Sequence, residues 1–120
     1  LPVMGHVWFP KSSITDVAVE GLDLKDILAA YVAMFNSRPY LKLIEVFAPH
    51  VAGGQFDLSS RYVSGIPTPN LSEVSLDLKS GRIVFELAEL GRTINLADQM
   101  WLSQNTSLVN ALYGARLSSL

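Results

Sequence analysis

Four polar side chains are the best candidates for chemistry in this chain: His6, His50, Asp57 and Tyr62. Imidazole and carboxyl groups can exchange protons near neutral pH, and a phenol can hold a ligand by a hydrogen bond. The two histidines do not occur in a His-x-His or His-Glu-x-x-His pattern, and there is no cysteine to complete a metal site. A fold that places these side chains in a pocket between a sheet and a helix would make the chain a small-molecule-binding domain or a small enzyme, and this stays open as an alternative function.

The sequence signatures of common catalytic and nucleotide-binding sites are missing. No serine stands in a Gly-x-Ser-x-Gly setting, and neither a Gly-x-Gly-x-x-Gly loop nor a P-loop occurs. The carboxylates are spread over separate segments, so they do not converge by sequence. We therefore favour a protein that is not an enzyme and that uses no metal or cofactor.

The composition favours contact with other protein. Only 17% of the residues are charged, and Ser, Thr and Asn together number 22, slightly more than the 20 charged residues. Short polar side chains lose their water at lower cost than Lys and Glu, and the cores of protein interfaces are depleted in charge. We expect a non-catalytic structural or assembly module that binds copies of itself or other subunits, such as a component of a virus or phage particle.

Two other classes of partner are disfavoured. Nine Lys and Arg stand against eleven Asp and Glu, whereas nucleic-acid-binding domains carry a basic excess. No apolar run approaches the roughly 20 residues that cross a bilayer. No basic-then-apolar leader is visible, which leaves the cellular compartment open.

The apolar pattern predicts an α+β fold. Alternation predicts strands at residues 3–9, 14–20, 41–48 and 56–64. A hairpin is predicted over residues 74–87, with Ser80 and Gly81 at its two-residue turn and Leu78 facing Ile83. We expect a single domain over residues 1–120, with a mostly antiparallel sheet of about five to six strands.

Two helical regions are predicted to pack on one face of this sheet. Asp23 is a good N-cap for a helix over residues 24–36, after the first hairpin, in which apolar residues recur along one face. Pro39 prevents that helix from continuing. A C-terminal helical region follows at residues 96–117, and the sequence leaves open whether Asn105 divides it in two.

Three segments are the predicted contact surfaces of an assembly module. The first helix has alanine where an exposed helix often has Lys or Glu; these alanines can be simple helix formers, or they can let a second element or subunit approach closely. The second segment is a proline-stiffened loop and the third an apolar C-terminal tail. The residues expected at an interface are Ala29, Ala30, Ala33, Ile66, Pro67, Leu108, Leu112 and Leu117.

Overall fold

The computed structural model of the chain describes residues 23–51, 53–71 and 78–118. Within these ranges the fold is mostly helical, with five helices and a two-stranded antiparallel sheet. The helices are α1 (Leu24–Phe35), α2 (Arg38–Phe47), α3 (Ser60–Val63), α4 (Leu78–Arg92) and α5 (Gln99–Ser118). The strands β1 (His50–Val51) and β2 (Gln55–Phe56) lie between α2 and α3.

The predicted sheet of five to six strands is wrong. Residues 41–48, predicted as a strand, lie in α2 up to Phe47, and residues 78–87 of the predicted hairpin lie in α4. In the predicted strand 56–64, only Phe56 belongs to a strand, while Ser60–Val63 form α3. The predicted strands at residues 3–9 and 14–20 lie outside the described residues.

The apolar residues of α2 fit the period of a helix as well as that of a strand, and the fold buries the helical set. Tyr40, Ile44 and Ala48 are buried along one side. The Ser37 hydroxyl caps the helix by accepting a hydrogen bond from the backbone N–H of Tyr40, 3.3 Å away. Pro39 stands in the first turn, where a missing N–H costs no helical hydrogen bond. Pro39 therefore begins a helix as well as preventing the first from continuing.

In α4, as in α2, the fold buries the residues of one helical face, and so a helix stands where the hairpin was predicted. The hairpin register placed Ile83, Phe85 and Leu87 on one face, but the structure buries Ile83, Val84, Leu87 and Ala88 and leaves Phe85 45% exposed. The buried positions repeat at the spacing of one helical face. The surrounding residues are rich in Glu, Leu and Ala, which are strong helix formers.

The prediction of helix α1 is confirmed. The side chain of Asp23 accepts a hydrogen bond from the Asp26 N–H (3.0 Å), and the side chain of Asp26 accepts one from the Asp23 N–H (2.9 Å). This reciprocal capping fixes the start of the helix. The C-terminal region is a single helix, α5, which passes through Asn105 without a break.

Helices α1 and α4 pack most closely. Asp26 in the first turn of α1 forms an ion pair with Arg92 at the end of α4, so the two helices run antiparallel. At Gly91 of α4, an added Cβ atom would overlap the backbone carbonyl of Ala29. Ala30, on the same side of α1, is fully buried. The alanine face of α1 therefore receives a second element of the same chain.

Helix α5 packs against α1, α2 and α4. The indole N–H of Trp101 donates to the carbonyl of Leu90 at 2.9 Å. The fully buried Asn105 donates from Nδ2 to the carbonyl of Ala33 at 3.1 Å. That carbonyl lies in the last turn of α1, where helical partners run out. These two bonds hold α5 to the end of α4 and to the C-terminal part of α1.

Candidate functional site

The predicted pocket residues make local contacts. His50 is exposed in β1, and its ring centroid lies 4.3 Å from that of Phe56 across the two-stranded sheet. The carboxylate of Asp57 accepts a hydrogen bond from the backbone N–H two residues later, at 3.0 Å. Tyr62 is half-buried beneath the guanidinium of the preceding arginine. His6 lies outside the described residues, and the large sheet that would have formed one wall of the pocket is not there among those described.

The predicted interface residues divide between the core and the surface. The chain's own fold buries four of them: Ala30, Ala33, Ile66 and Leu112. Pro67 is exposed, whereas Ala29 and Leu108 are half-buried. The side chain of Leu117 lies outside the described part of the chain. The four buried residues pack within the chain's own core in this fold.

The proline-containing loop of residues 66–71 is attached to α1 through Tyr31. The hydroxyl of this tyrosine donates to the carbonyl of Pro69 at 3.1 Å and accepts from the backbone N–H of Leu71 at 3.0 Å. Burial raises the pKa of Tyr31, and the hydrogen bond from Leu71 opposes part of that rise. Leu71 itself is fully buried, so this loop closes over the core.

Two further tyrosines hold the same loop from α2 and α5. The hydroxyl of Tyr40 lies 3.0 Å from that of Thr68, and the hydroxyl of Tyr113 donates to the carbonyl of Pro67 at 2.7 Å. Burial is the main cause of a raised pKa at both tyrosines. These hydroxyl groups act as structural hydrogen-bonding groups that join three helices to one loop.

Two open grooves lie on either side of helix α5. The first, with a volume of about 600 Å³, is bounded by α4, and its lining includes Glu86 and Glu89. The second, with a volume of about 380 Å³, is bounded by the start of α2, and its lining includes Arg38. Ser103 and Ser107 of α5 line both grooves. The outer face of α5 thus separates an acidic groove from a basic one.

We name this outer face the α5 ridge and define it by six exposed residues: Met100, Ser103, Ser107, Asn110, Ala111 and Gly114. They recur at the spacing of a single helical face. From Met100 to Gly114 the ridge extends over about 21 Å at 1.5 Å per residue. Residues 99–115 contain no charged side chain. That charge-free run is the sequence signal that could have located the ridge. None of the six ridge residues belongs to the predicted interface.

The N-terminal end of the α5 ridge is apolar. Ile94, Leu96 and Met100 are 42%, 51% and 68% exposed. All three lie within residues 94–100, which run from the loop after α4 into the first turn of α5. The carboxylate of Asp98 accepts a hydrogen bond from the N–H of Met100 at 3.0 Å and so caps the start of α5. We refer to Ile94, Leu96 and Met100 as the apolar end of the ridge.

The two grooves beside the α5 ridge differ from typical small-molecule sites. The two grooves are lined mainly by exposed polar side chains, whereas small-molecule sites are mostly apolar and enclosed. In the part of the chain that the structure describes, no three His, Asp or Glu residues gather where they could hold a metal ion. Among those same residues, no helix combines the length and apolar character needed to cross a membrane.

Comparison with known proteins adds no family to this description. The chain matches no protein-family model, no curated protein and no solved structure.

Proposed function

We propose that this chain is a non-catalytic assembly module that associates with copies of itself, alone or within a larger complex, through the α5 ridge. One observation carries the proposal: an exposed helix face about 21 Å long that has no charged side chain. Exposed helix faces of free monomers usually carry Lys and Glu, which keep neighbouring molecules apart. A face without them is dehydrated more easily and fits the core of a protein interface.

The apolar end of the ridge supports the same proposal. Removing apolar surface from water contributes about 25 cal/mol per Å² on association. Met100, with more than half of its surface exposed, has a large area to bury. Beyond it, the small side chains of Ser103 and Ser107 allow the axis of a second helix to approach to about 8–10 Å.

Helix α2 offers a competing exposed surface with a different character. Val46 is 76% exposed there, more than any other large apolar side chain among the described residues. Its neighbours Lys42 and Glu45 are also exposed, so ionic groups stand beside the apolar ones. Leu41 and Phe47 of the same helix are exposed as well, but apolar residues scattered among charges are normal on protein surfaces. The uninterrupted α5 ridge is therefore the better candidate interface.

Sedimentation velocity over a range of protein concentrations tests this function. The unchanged chain is expected to form a concentration-dependent oligomer. Ala111→Glu places a carboxylate on the ridge and is expected to weaken association at least ~10-fold, because a charge buried without a partner costs more than ~1.4 kcal/mol. Ala111 is exposed, so this substitution leaves the fold of the single chain intact, which circular dichroism checks.

Val46→Glu is the matched control. It adds the same charge at an exposed position of α2, and association is expected to continue unchanged. The proposal fails if the chain stays monomeric through the micromolar range. It also fails if Val46→Glu dissociates the oligomer while Ala111→Glu does not.

A further inference from the structure

Building on the proposed self-association, we infer that two copies pair through the α5 ridge with their α5 helices parallel, so that Arg38 of each copy faces Glu86 and Glu89 of the other. This inference specifies both the partner and its orientation. It follows from the positions of the charged residues beside the ridge and of the apolar residues at its end.

Two-fold symmetry limits how identical ridges can meet. When one helix face packs on its own copy, the symmetry axis runs either along the helices or across them. An axis along the helices makes them parallel and places the left side of one ridge opposite the right side of the other. An axis across the helices makes them antiparallel and places each side opposite its own copy.

The charges on the two sides favour the parallel arrangement. Glu86 and Glu89 line one groove and Arg38 the other, and both grooves lie beside Ser103 and Ser107. In a parallel pair, each arginine therefore meets the glutamates of the other copy at the same height. In an antiparallel pair, glutamates would face glutamates and arginine would face arginine, which is repulsive.

The three charged groups are free to pair across such an interface. The ion pair among the described residues joins Asp26 to Arg92, at the ends of α1 and α4, and involves none of them. Arg38, Glu86 and Glu89 are all exposed. Among the described residues, no ion pair within one chain involves these three groups. A second copy would place an opposite charge beside each of them.

The apolar end of the ridge favours the same orientation independently. In a parallel pair, Met100 of each copy lies at the same end as Met100 of the other, so the two apolar ends cover one another. In an antiparallel pair, Met100 would face the end of the ridge near Gly114, about 21 Å away along the helix. Gly114 has no side chain with which to cover it.

Charge reversal tests the pairing. Arg38→Glu alone, and Glu86→Arg with Glu89→Arg in a second chain, are each expected to weaken self-association at least tenfold, because like charges then face each other. Mixing the two variant chains is expected to restore association to the original level, since every contact in the mixed pair again joins opposite charges. Sedimentation equilibrium measures the dissociation constants of each chain and of the mixture.

A single cysteine tests the orientation, because the chain has none of its own. Met100→Cys is expected to form a disulfide-linked dimer under mild oxidation in the parallel pair, whereas the exposed Val46→Cys is not. If Met100→Cys crosslinks only to a chain carrying Gly114→Cys, the pair is antiparallel and the inference is overturned. It is also overturned if neither charge-reversed chain weakens association.

The failure of this inference can be told apart from that of the proposed function. An oligomer that Ala111→Glu dissociates, but that the charge reversals leave unchanged, contradicts the parallel pairing and leaves assembly through the ridge in place. A chain that does not associate at any accessible concentration contradicts both.

Discussion

Gly91 determines how close α1 and α4 can come. Its missing side chain leaves space that the backbone carbonyl of Ala29 occupies, and a backbone atom cannot move aside as a flexible side chain can. Gly114, in the outer face of α5, has no atom within 4 Å of the position that a Cβ would take. Gly91 and Gly114 therefore have opposite roles: the first is required by packing, and the second weakens its helix without a packing reason.

Gly91→Ala is expected to destabilise the folded chain by about 3 kcal/mol or more, because relieving the overlap requires separating α1 from α4. Gly114→Ala, the matched control, is expected to stabilise it by ~0.5–1 kcal/mol through the better helix propensity of alanine. Urea unfolding at low protein concentration measures both changes without a contribution from association. A Gly91→Ala chain as stable as the original would contradict the close packing of α1 against α4.

At the scale of elements, the loop of residues 66–71 joins helices that are otherwise distant in sequence. Hydroxyl groups from α1, α2 and α5 bind it through Tyr31, Tyr40 and Tyr113. Burial raises the pKa of all three tyrosines, because the protein interior disfavours a phenolate. The free energy of unfolding of this arrangement is therefore expected to decrease at alkaline pH.

The free energy of unfolding is expected to be fully maintained up to about pH 10, near the tyrosine pKa of an unfolded chain, and to fall as the pH rises further. Above that pH the unfolded chain loses phenolic protons that the folded chain still retains, so unfolding becomes more favourable. Tyr113→Phe is expected to cost about 1 kcal/mol below pH 10 through its lost hydrogen bond. The same substitution is expected to reduce the fall above pH 10.

Unfolding midpoints in urea, measured on both sides of pH 10, check this prediction. Tyr62→Phe is the control, since Tyr62 is half-buried but makes none of the hydrogen bonds that hold the loop. Equal alkaline destabilisation of the original and Tyr113→Phe chains would show that Tyr113 does not carry the effect.

At the scale of the whole molecule, charged groups hold the fold together in one region and are missing from the face that we propose as the contact surface. The ion pair between Asp26 and Arg92 holds the end of the α1–α4 pair together, and the neighbouring Asp23 N–H and Arg92 both hold the pKa of Asp26 below its usual value. The α5 ridge has no charged side chain along its length, whereas Glu86 and Glu89 line the groove on one side of it and Arg38 lines the groove on the other. This division is what an interface with a charge-free centre and an ionic rim would require.

If the ridge mediates association, the melting temperature is expected to rise with protein concentration, because binding stabilises only the folded chain. For a chain of this size the rise should be about 2–4 °C per tenfold increase in concentration. Ala111→Glu is expected to remove this dependence while keeping the melting temperature of the dilute protein. Differential scanning fluorimetry over a hundredfold range of concentration measures both; a concentration-independent melting temperature in the original chain would contradict the proposed function.

Local signals in the sequence were sufficient for some elements. Asp23 and the apolar spacing after it predict α1, because capping and one-face periodicity depend only on neighbouring residues. Adjacent glycines are likewise a local signal of a turn, and Gly53 and Gly54 both adopt positive φ, +85° and +74°, between β1 and β2. The scarcity of charge is also evident from the composition, although the core covers four of the eight residues predicted for the interface.

Only the tertiary structure decided between helix and strand for residues 41–48 and 78–87, because their apolar residues fit both periods and the choice depends on which faces other elements cover. Burial along one helical side of α2 and of α4 resolved it. The ridge and its grooves also depend on tertiary structure, since Arg38, Glu86 and Ser107 come from three helices. The sequence by itself determined how little charge this protein carries, and the packing of α2, α4 and α5 determined where that charge stands relative to an exposed helix face.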